Sequence, residues 1–185
     1  MSETRAASRY AKSLLGLASE KNVLEEVHAD MLNFSSVCDQ NRDFVLLLKN
    51  PVIKHDKKRA ILSKVFGRSN KLTLAIFDII TRKNREPLLP AIAKEFDNQY
   101  NIFKGIEVAS VTTAFPLDKG LKKQMEEIVM SISKRDNVQL EEKIDKDLIG
   151  GFVLNVGDRQ LDDSLRSKLK ALELKFSQNP YTKEF

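Results

Sequence analysis

The chain of 185 residues has no tryptophan, a single cysteine and two histidines. One cysteine excludes an internal disulfide and fits a reducing compartment. Cys38 falls on an apolar helical stripe, where it reads as a small core residue and not as a reactive thiol. His28 and His55 fall on different predicted helices, each at a surface or helix-end position, with no second histidine or cysteine at ligand spacing. The residue most used for metal binding and general base catalysis is therefore not assembled into a site. Long apolar runs are missing too: Phe44 to Leu48 falls far short of the roughly 18 residues needed to cross a bilayer. The N-terminal MSETRAASRYAKSLLGLASEKN lacks a signal-peptide core and turns polar after Ala18. Arg5, Arg9 and Lys12 suit an amphipathic transit sequence, but Glu3 and Glu20 argue against one, so cytoplasmic residence is expected.

Motifs for chemistry are equally sparse. Gly150-Gly151 is followed by FVLNVG, without the lysine of a phosphate-binding loop, and reads as a bend or close backbone approach at the start of a strand. Asp158, Asp162 and Asp163 lack the spacing of a calcium loop. A turn at Gly157-Asp158 and a helix cap at Asp162 or Asp163 explain them. Ser164 has no elbow motif around it and no histidine nearby in sequence. No catalytic residue, cofactor or metal ligand is expected, and the chain does not read as an enzyme.

What is present is helical periodicity over the first half. Ala7, Tyr10, Ala11, Leu14, Leu15 and Ala18 form one stripe, and Leu24, Val27, Met31, Phe34 and Cys38 a second, with a stop and restart at Lys21-Asn22. A short helix near Phe44–Leu48 ends before Asn50-Pro51. Ile61, Leu62, Val65 and Phe66 mark a fourth helix, for which Gly67 is the expected left-handed cap. The fifth, about Leu72–Lys83, is apolar nearly all round, so its faces must be buried by its own domain or by a partner. Leu89, Ile92, Ala93, Phe96, Tyr100 and Phe103 mark a sixth, with Pro87 and Pro90 tolerable near its first turn.

From Gly105 the period changes to that of a strand ending at Pro116. Leu121, Met125, Ile128, Val129 and Ile132 return to helical spacing. A polar turn at Asp136-Asn137, a strand through Val138, Leu140 and Ile144, a glycine-led strand to Val156 and a helix from about Asp162 to Phe176 follow. The expected fold is mainly α: a six-helix bundle over residues 1–104, then a smaller α+β domain over 105–185.

With 42% apolar and 31% charged residues, the composition is that of a globular protein, and its formal charge of +5 leaves anionic partners open. Lys54, Lys57, Lys58, Arg59, Lys64 and Arg68 make one basic cluster, and Arg166, Lys168, Lys170 and Lys175 another. A basic helical nucleic-acid-binding protein is thus the alternative reading. Against it, the aromatics fall on core stripes, no base-reading helix stands out, and acidic residues are interspersed throughout.

The stretch IGGFVLNVGDRQLDDSLRSKL resembles the C-terminal signature of the delta subunit of F-type ATP synthases, the family of the mitochondrial oligomycin-sensitivity-conferring protein. The residues that carry the resemblance are Ile149, Gly150, Gly151, Phe152 to Val156, Gly157, Asp158, Leu161, Asp162, Ser164, Leu165, Arg166 and Leu169. RYAKSLLGLA, Arg9 to Ala18, is similar to the family's first helix. The resemblance implies a non-catalytic stator subunit, one copy per complex, peripheral to the cytoplasmic face of a bacterial inner membrane during proton-driven ATP synthesis. It implies two partners: the N-terminal helix of an alpha subunit, held between the first and fifth helices, and the C-terminal region of the peripheral-stalk b subunit, held by the second domain. Tyr10, Ala11, Leu14, Leu15, Ala18, Leu74, Phe77 and Ile80 are the residues expected to form the groove. The signature residues Gly150, Gly151, Gly157, Asp158, Asp162, Ser164, Arg166 and Leu169 are expected to be structural. Neither nucleic acid nor a transmembrane segment belongs to this reading.

Overall fold

The computed structural model describes residues 2–133, 135 and 137–177. The chain divides into two compact units, Met1–Phe103 and Lys104–Phe185. The first holds α1 (Ser2–Glu20), α2 (Leu24–Gln40), α3 (Arg42–Lys49), α4 (His55–Val65), α5 (Lys71–Arg82), a 3-10 turn at Glu86–Leu88 and α6 (Leu89–Lys104). Two asparagines end helices here. At the end of α1, Asn22 takes φ +55° while Val23 N donates to Ala18 O and Asn22 N to Ser19 O. At the end of α5, Asn84 takes φ +53°, with Arg85 N donating to Ile80 O and Asn84 N to Thr81 O. Both are Schellman closures, in which a short polar side chain tolerates the left-handed residue. Gly67 does not serve as the expected left-handed cap. Phe66 follows α4 at φ −108°, and glycine is suited to position 67 because a Cβ there would lie 2.7 Å from Ser63 O.

The stripe of α2 is wholly buried, from Leu24 through Val27, Met31 and Phe34 to Cys38. Phe34, with no exposed surface, meets Phe77, Phe66 and Phe44 at ring-centroid distances of 5.1, 5.2 and 6.0 Å. Such tilted and edge contacts add to the stabilisation from burial. On α4 the buried row is Lys58, Leu62 and Phe66, whereas Val65, expected in the stripe, is 54% exposed. Lys58 is buried because it has partners: its Nζ donates to Leu48 O at 2.9 Å, at the C-terminal end of α3, and lies 3.8 Å from the equally buried Glu86 carboxylate. A cation there also meets the negative end of the helix dipole.

The second unit holds β1 (Ile106–Thr113), α7 (Lys119–Ser133), β2 (Asn137–Ile144), a 3-10 turn at Lys146–Leu148, β3 (Phe152–Val156), β4 (Arg159–Asp162) and α8 (Leu165–Ser177). The sheet order is β2-β1-β3-β4. β1 and β2 run parallel, Ile106 opposite Asn137, so α7 is the crossover that a parallel pair requires. β1 and β3 are antiparallel, Val111 opposite Leu154. Ala109, Val111, Leu154 and Val156 present one sheet face to Met125 and Val129 of α7. Of the turn expected at Asp136-Asn137, Asp136 lies outside the described residues, and Asn137 already belongs to β2.

The stretch after Gly157-Asp158 departs from expectation. It forms a hairpin strand, β4, paired with β3 from Val156 opposite Arg159, and the helix begins only at Leu165. Every residue of β4 is exposed, so no hydrophobic alternation announces it. Gly157 takes φ +54° at the first position of the two-residue turn, a conformation suited to glycine. The glycine pair lets the following segment close over the strand. Gly151 has φ +77°, and a Cβ on it would collide with Asp163 O, while one on Gly150 would meet Leu165 Cδ1 at 2.9 Å. Gly151→Ala is expected to destabilise the protein by about 2–4 kcal/mol, through a strained backbone and an immovable backbone contact. Urea denaturation followed by circular dichroism measures it.

Candidate functional site

In the first unit, α1 packs beside α2 and α5. Ala7, Ala11, Leu14 and Ala18 are buried within the bundle. The flanks of α1 differ. On one, Gln99 of α6 donates to the Ser8 carbonyl and hydroxyl, at 3.2 and 3.0 Å, and Leu15 shares that helical phase. On the other, the Tyr10 hydroxyl accepts from Arg85, just beyond α5, at 3.2 Å, and Leu17, one heptad on, is 46% exposed.

The phase of α5 is held at the start of the helix. Asn70 caps it, its Oδ1 accepting from Leu72 N at 2.9 Å. Asp30 of α2 accepts from Asn70 N and Thr73 Oγ1, both at 2.7 Å, and places its charge at the positive end of the helix. With Thr73, Ile76, Phe77, Ile80 and Thr81 buried, two edges remain. Leu74, together with Phe77 and Thr81, lines a cleft of about 260 Å³ against Arg59 and Leu62 of α4. On the opposite edge Leu72 is half-buried, and Ile79 is 45% exposed.

Among the eight groove residues anticipated from sequence, Ala11, Leu14, Ala18, Phe77 and Ile80 are thus covered by the bundle itself. Leu15 belongs to the α6 flank and Leu74 to the α4 cleft. Tyr10 alone sits at the edge of α1 that Arg85 marks. Leu17 and Ile79, which are exposed on the neighbouring helices, were not singled out. Apolar periodicity identifies a helix's buried face, but which neighbour covers each edge depends on packing.

In the second unit the signature residues converge on the start of α8. Ser164 is its cap: buried, with Oγ accepting from Ser167 N at 3.2 Å. Neither Asp162 nor Asp163 takes that role. Asp162 accepts from Ser164 N at 2.9 Å through one oxygen and from the Ser167 hydroxyl at 2.6 Å through the other. These bonds, the Ser167 hydroxyl first, hold its carboxyl below the usual carboxylate range. Asp163 pairs with Lys168 at 2.7 Å. Leu169 is 54% exposed and Arg166 is also exposed, so these two signature residues do not belong to the core. No residue described in α8 is buried.

The single thiol and the histidines take structural places. Cys38 is buried, and burial followed by the neighbouring Asp39 pushes its pKa up to about 11, which keeps it protonated at neutral pH. His28 is not a surface residue: it stacks on Tyr100 at 3.6 Å and lies 2.8 Å from Asp97. Burial and then the hydrogen bond to Glu25 push the Tyr100 hydroxyl up to about 12. His55 is exposed at the start of α4 beside Asp56. Among the described residues, no three His, Cys, Asp or Glu side chains converge into a metal site.

The family model described as "ATP synthase delta (OSCP) subunit" matches residues 6–176. The chain belongs to the ATP synthase delta (OSCP) subunit family. The ATP synthase subunit delta of Cytophaga hutchinsonii is 41% identical over 179 residues, covering 96% of this chain and 97% of that one. The chloroplastic delta chain of Chlamydomonas reinhardtii is 31% identical over 91% of this chain and 78% of its own length. The fold is also that of a chain in the Toxoplasma gondii mitochondrial ATP synthase hexamer, with a TM-score of 0.73 at 21% identity, covering 94% of this chain and 98% of that one. As a delta-family protein, the chain is a non-catalytic stator component of ATP synthase. Among its described residues no helix is long and apolar enough to cross a membrane.

The nucleic-acid alternative finds no support in this family or in the side chains. In the first basic cluster Lys58 is buried on Leu48 O and Glu86, and Arg59 pairs with Asp78. In the second, Lys168 pairs with Asp163. The cap at α8 also has a pH signature. A carboxyl depressed by folding contributes stability above its ordinary pKa of about 3.9, and the contribution is lost as pH falls through the folded value. Amide protection in the first turn of α8, measured against the intrinsic exchange rate at each pH, is therefore expected to fall below about pH 4 in the wild type and to lose that pH step in Asp162→Asn. Ser164→Ala is expected to raise exchange there at every pH, a cap being worth about 0.5–2 kcal/mol. Hydrogen-exchange mass spectrometry reads both.

Proposed function

We propose that this delta-family chain ties the catalytic head of its ATP synthase to the peripheral stalk through its two units. The first would take the N-terminal helix of an alpha subunit along the α1–α5 edge, and the second the C-terminal region of the b subunit. The carrying observation is that each unit has exposed apolar side chains beside a well-buried core. These are Leu17 and Ile79 on adjacent helices of the first, and Leu165, Leu169 and Leu172 on α8 of the second. An amphipathic helix laid against the first pair would bury that surface in a helix-in-groove mode. The chain would be held at the cytoplasmic face of a bacterial inner membrane through the complex.

The work of such a linkage is mechanical. The head must not turn with the rotor, so each contact has to outlast many catalytic turnovers. Slow dissociation from a stiff interface meets that need, and no group has to change its covalent state. The capped and anchored α5 and the small residues beneath α1 give the first surface a rigid backing, which lowers the ordering cost of binding.

Leu17→Asp and Ile79→Asp are each expected to weaken binding of an alpha N-terminal peptide to the full chain by about tenfold or more, with the thermal midpoint little changed, because both side chains are already solvated. Titration calorimetry and a melting curve read the two quantities. Wild-type affinity in both variants would overturn the α1–α5 assignment. Phe77→Asp is unsuitable for this purpose, since it would place a charge in the aromatic core.

A further inference from the structure

Glu86 is 3% exposed, yet its carboxylate accepts no hydrogen bond from any described residue. The cation paired with it, the Lys58 ammonium, stands 3.8 Å from Oε2, beyond hydrogen-bond reach. Lys58 is 4% exposed and spends one of its three N–H donors on Leu48 O at 2.9 Å. The two groups balance each other's charge but leave the carboxylate's lone pairs and two ammonium donors unused. In a buried setting that is a costly state, and it calls for a third participant. Both groups line one cleft of about 290 Å³, which Lys49, Lys54, His55 and Asn84 also line.

The cleft is cationic on balance. Glu86 is the one carboxylate among its lining residues, and Lys58 offsets it. Lys49 and Lys54 are exposed and pair with no carboxylate among the described residues. His55 lies 3.3 Å from Asp56, whose side chain is 78% exposed and does not line the cleft. Three elements bring these groups together. The last turn of α3 carries Lys49, the start of α4 carries Lys54, His55 and Lys58, and the 3-10 turn before α6 carries Glu86. The partial negative charge at the end of α3 is met by Lys58 through Leu48 O, so it does not face the cleft unpartnered.

We infer that this cleft binds a protonated tetrahedral oxyanion, hydrogenphosphate, whose hydroxyl donates to Glu86 while its oxygens accept from Lys58, Lys49 and Lys54. The 3.8 Å separation suits one oxygen placed about 2.7 Å from both buried groups, accepting from Lys58 and donating to Glu86. The carboxylate, which repels a bare anion, thereby becomes the selecting group. Hydrogenphosphate carries a hydroxyl to donate, and sulfate at neutral pH carries none. Sulfate would set acceptor against acceptor at a buried carboxylate, where solvent does little to relieve the clash. No residue of the cleft belongs to the surfaces assigned to the alpha subunit or the stalk, so this site stands apart from that reading.

The test uses the full chain, with inorganic phosphate and sulfate as probes at neutral pH and one ionic strength. By calorimetry phosphate is expected to bind the wild type at least about tenfold tighter than sulfate. Lys49→Gln with Lys54→Gln is expected to weaken phosphate binding by about tenfold or more, at an unchanged melting temperature because both side chains are exposed. Glu86→Gln is expected to lose the discrimination, since an amide donates to an oxyanion of either kind. That variant leaves Lys58 buried without its counter-charge, so circular dichroism checks its fold. If it does not fold, the two anions and the lysine variant decide the matter without it. Phosphate is also expected to raise the wild-type melting temperature more than sulfate does, a difference that the lysine variant loses. Equal affinity for the two anions would mean an adventitious ion only and overturn the proposal. So would an absence of binding, which leaves a water-bridged ion pair, or phosphate binding that survives the loss of both lysines.

Discussion

The rotational phase of α5 is the constraint from which the first unit is built. Phe77 enters a cluster with Phe34 and Phe66, while Thr73 is tied to Asp30 of α2. A helix held at these two points cannot turn about its axis without breaking an aromatic contact or a charge-assisted hydrogen bond. Its remaining surface is then assigned: Leu74 to the α4 cleft, Leu72 and Ile79 to the opposite edge. A bundle whose members share such a helix transmits force as a rigid body, which suits a stator component better than a compliant fold would.

The second unit reaches rigidity differently. Its sheet and α7 make a small core, and its last helix is added at a corner of the fold. The glycine pair permits close approach of the segment carrying Asp163 and Leu165, and the Asp162–Ser164–Ser167 bonds fix where the helix starts. The glycines and aspartates of this stretch, which lack the spacing of a phosphate or calcium loop, set where a helix starts. The residues at the start of α8 are structural, while Arg166 and Leu169 within the same signature face solvent.

Much of the fold was legible because apolar residues recur at the helical period. The buried stripe of α2, the strands on either side of α7, and the change of period at Gly105 all follow from side-chain spacing, whereas the parallel pairing of β1 with β2 does not. β4 was not legible, since an edge strand held by backbone pairing needs no alternating pattern, and its residues are all exposed. Lys58 was assigned to a basic surface because its sequence neighbours are basic. Its burial depends on Leu48 O and Glu86, 10 and 28 positions away, which no local pattern reveals.

The order of residues from Leu148 to Leu172 was by itself enough to identify the family and with it the two-part, mainly helical architecture. A glycine at positive φ, a capping serine and a turn are local requirements, and local requirements are written directly in the chain. Which apolar side chains are left for partners was decided by tertiary structure alone. An apolar residue on a helix is equally consistent with a core and with an interface. Only the packing of α1 against α5, and the absence of any described element over the exposed leucines of α8, separate Ala11 and Phe77 from Leu17, Ile79 and Leu169.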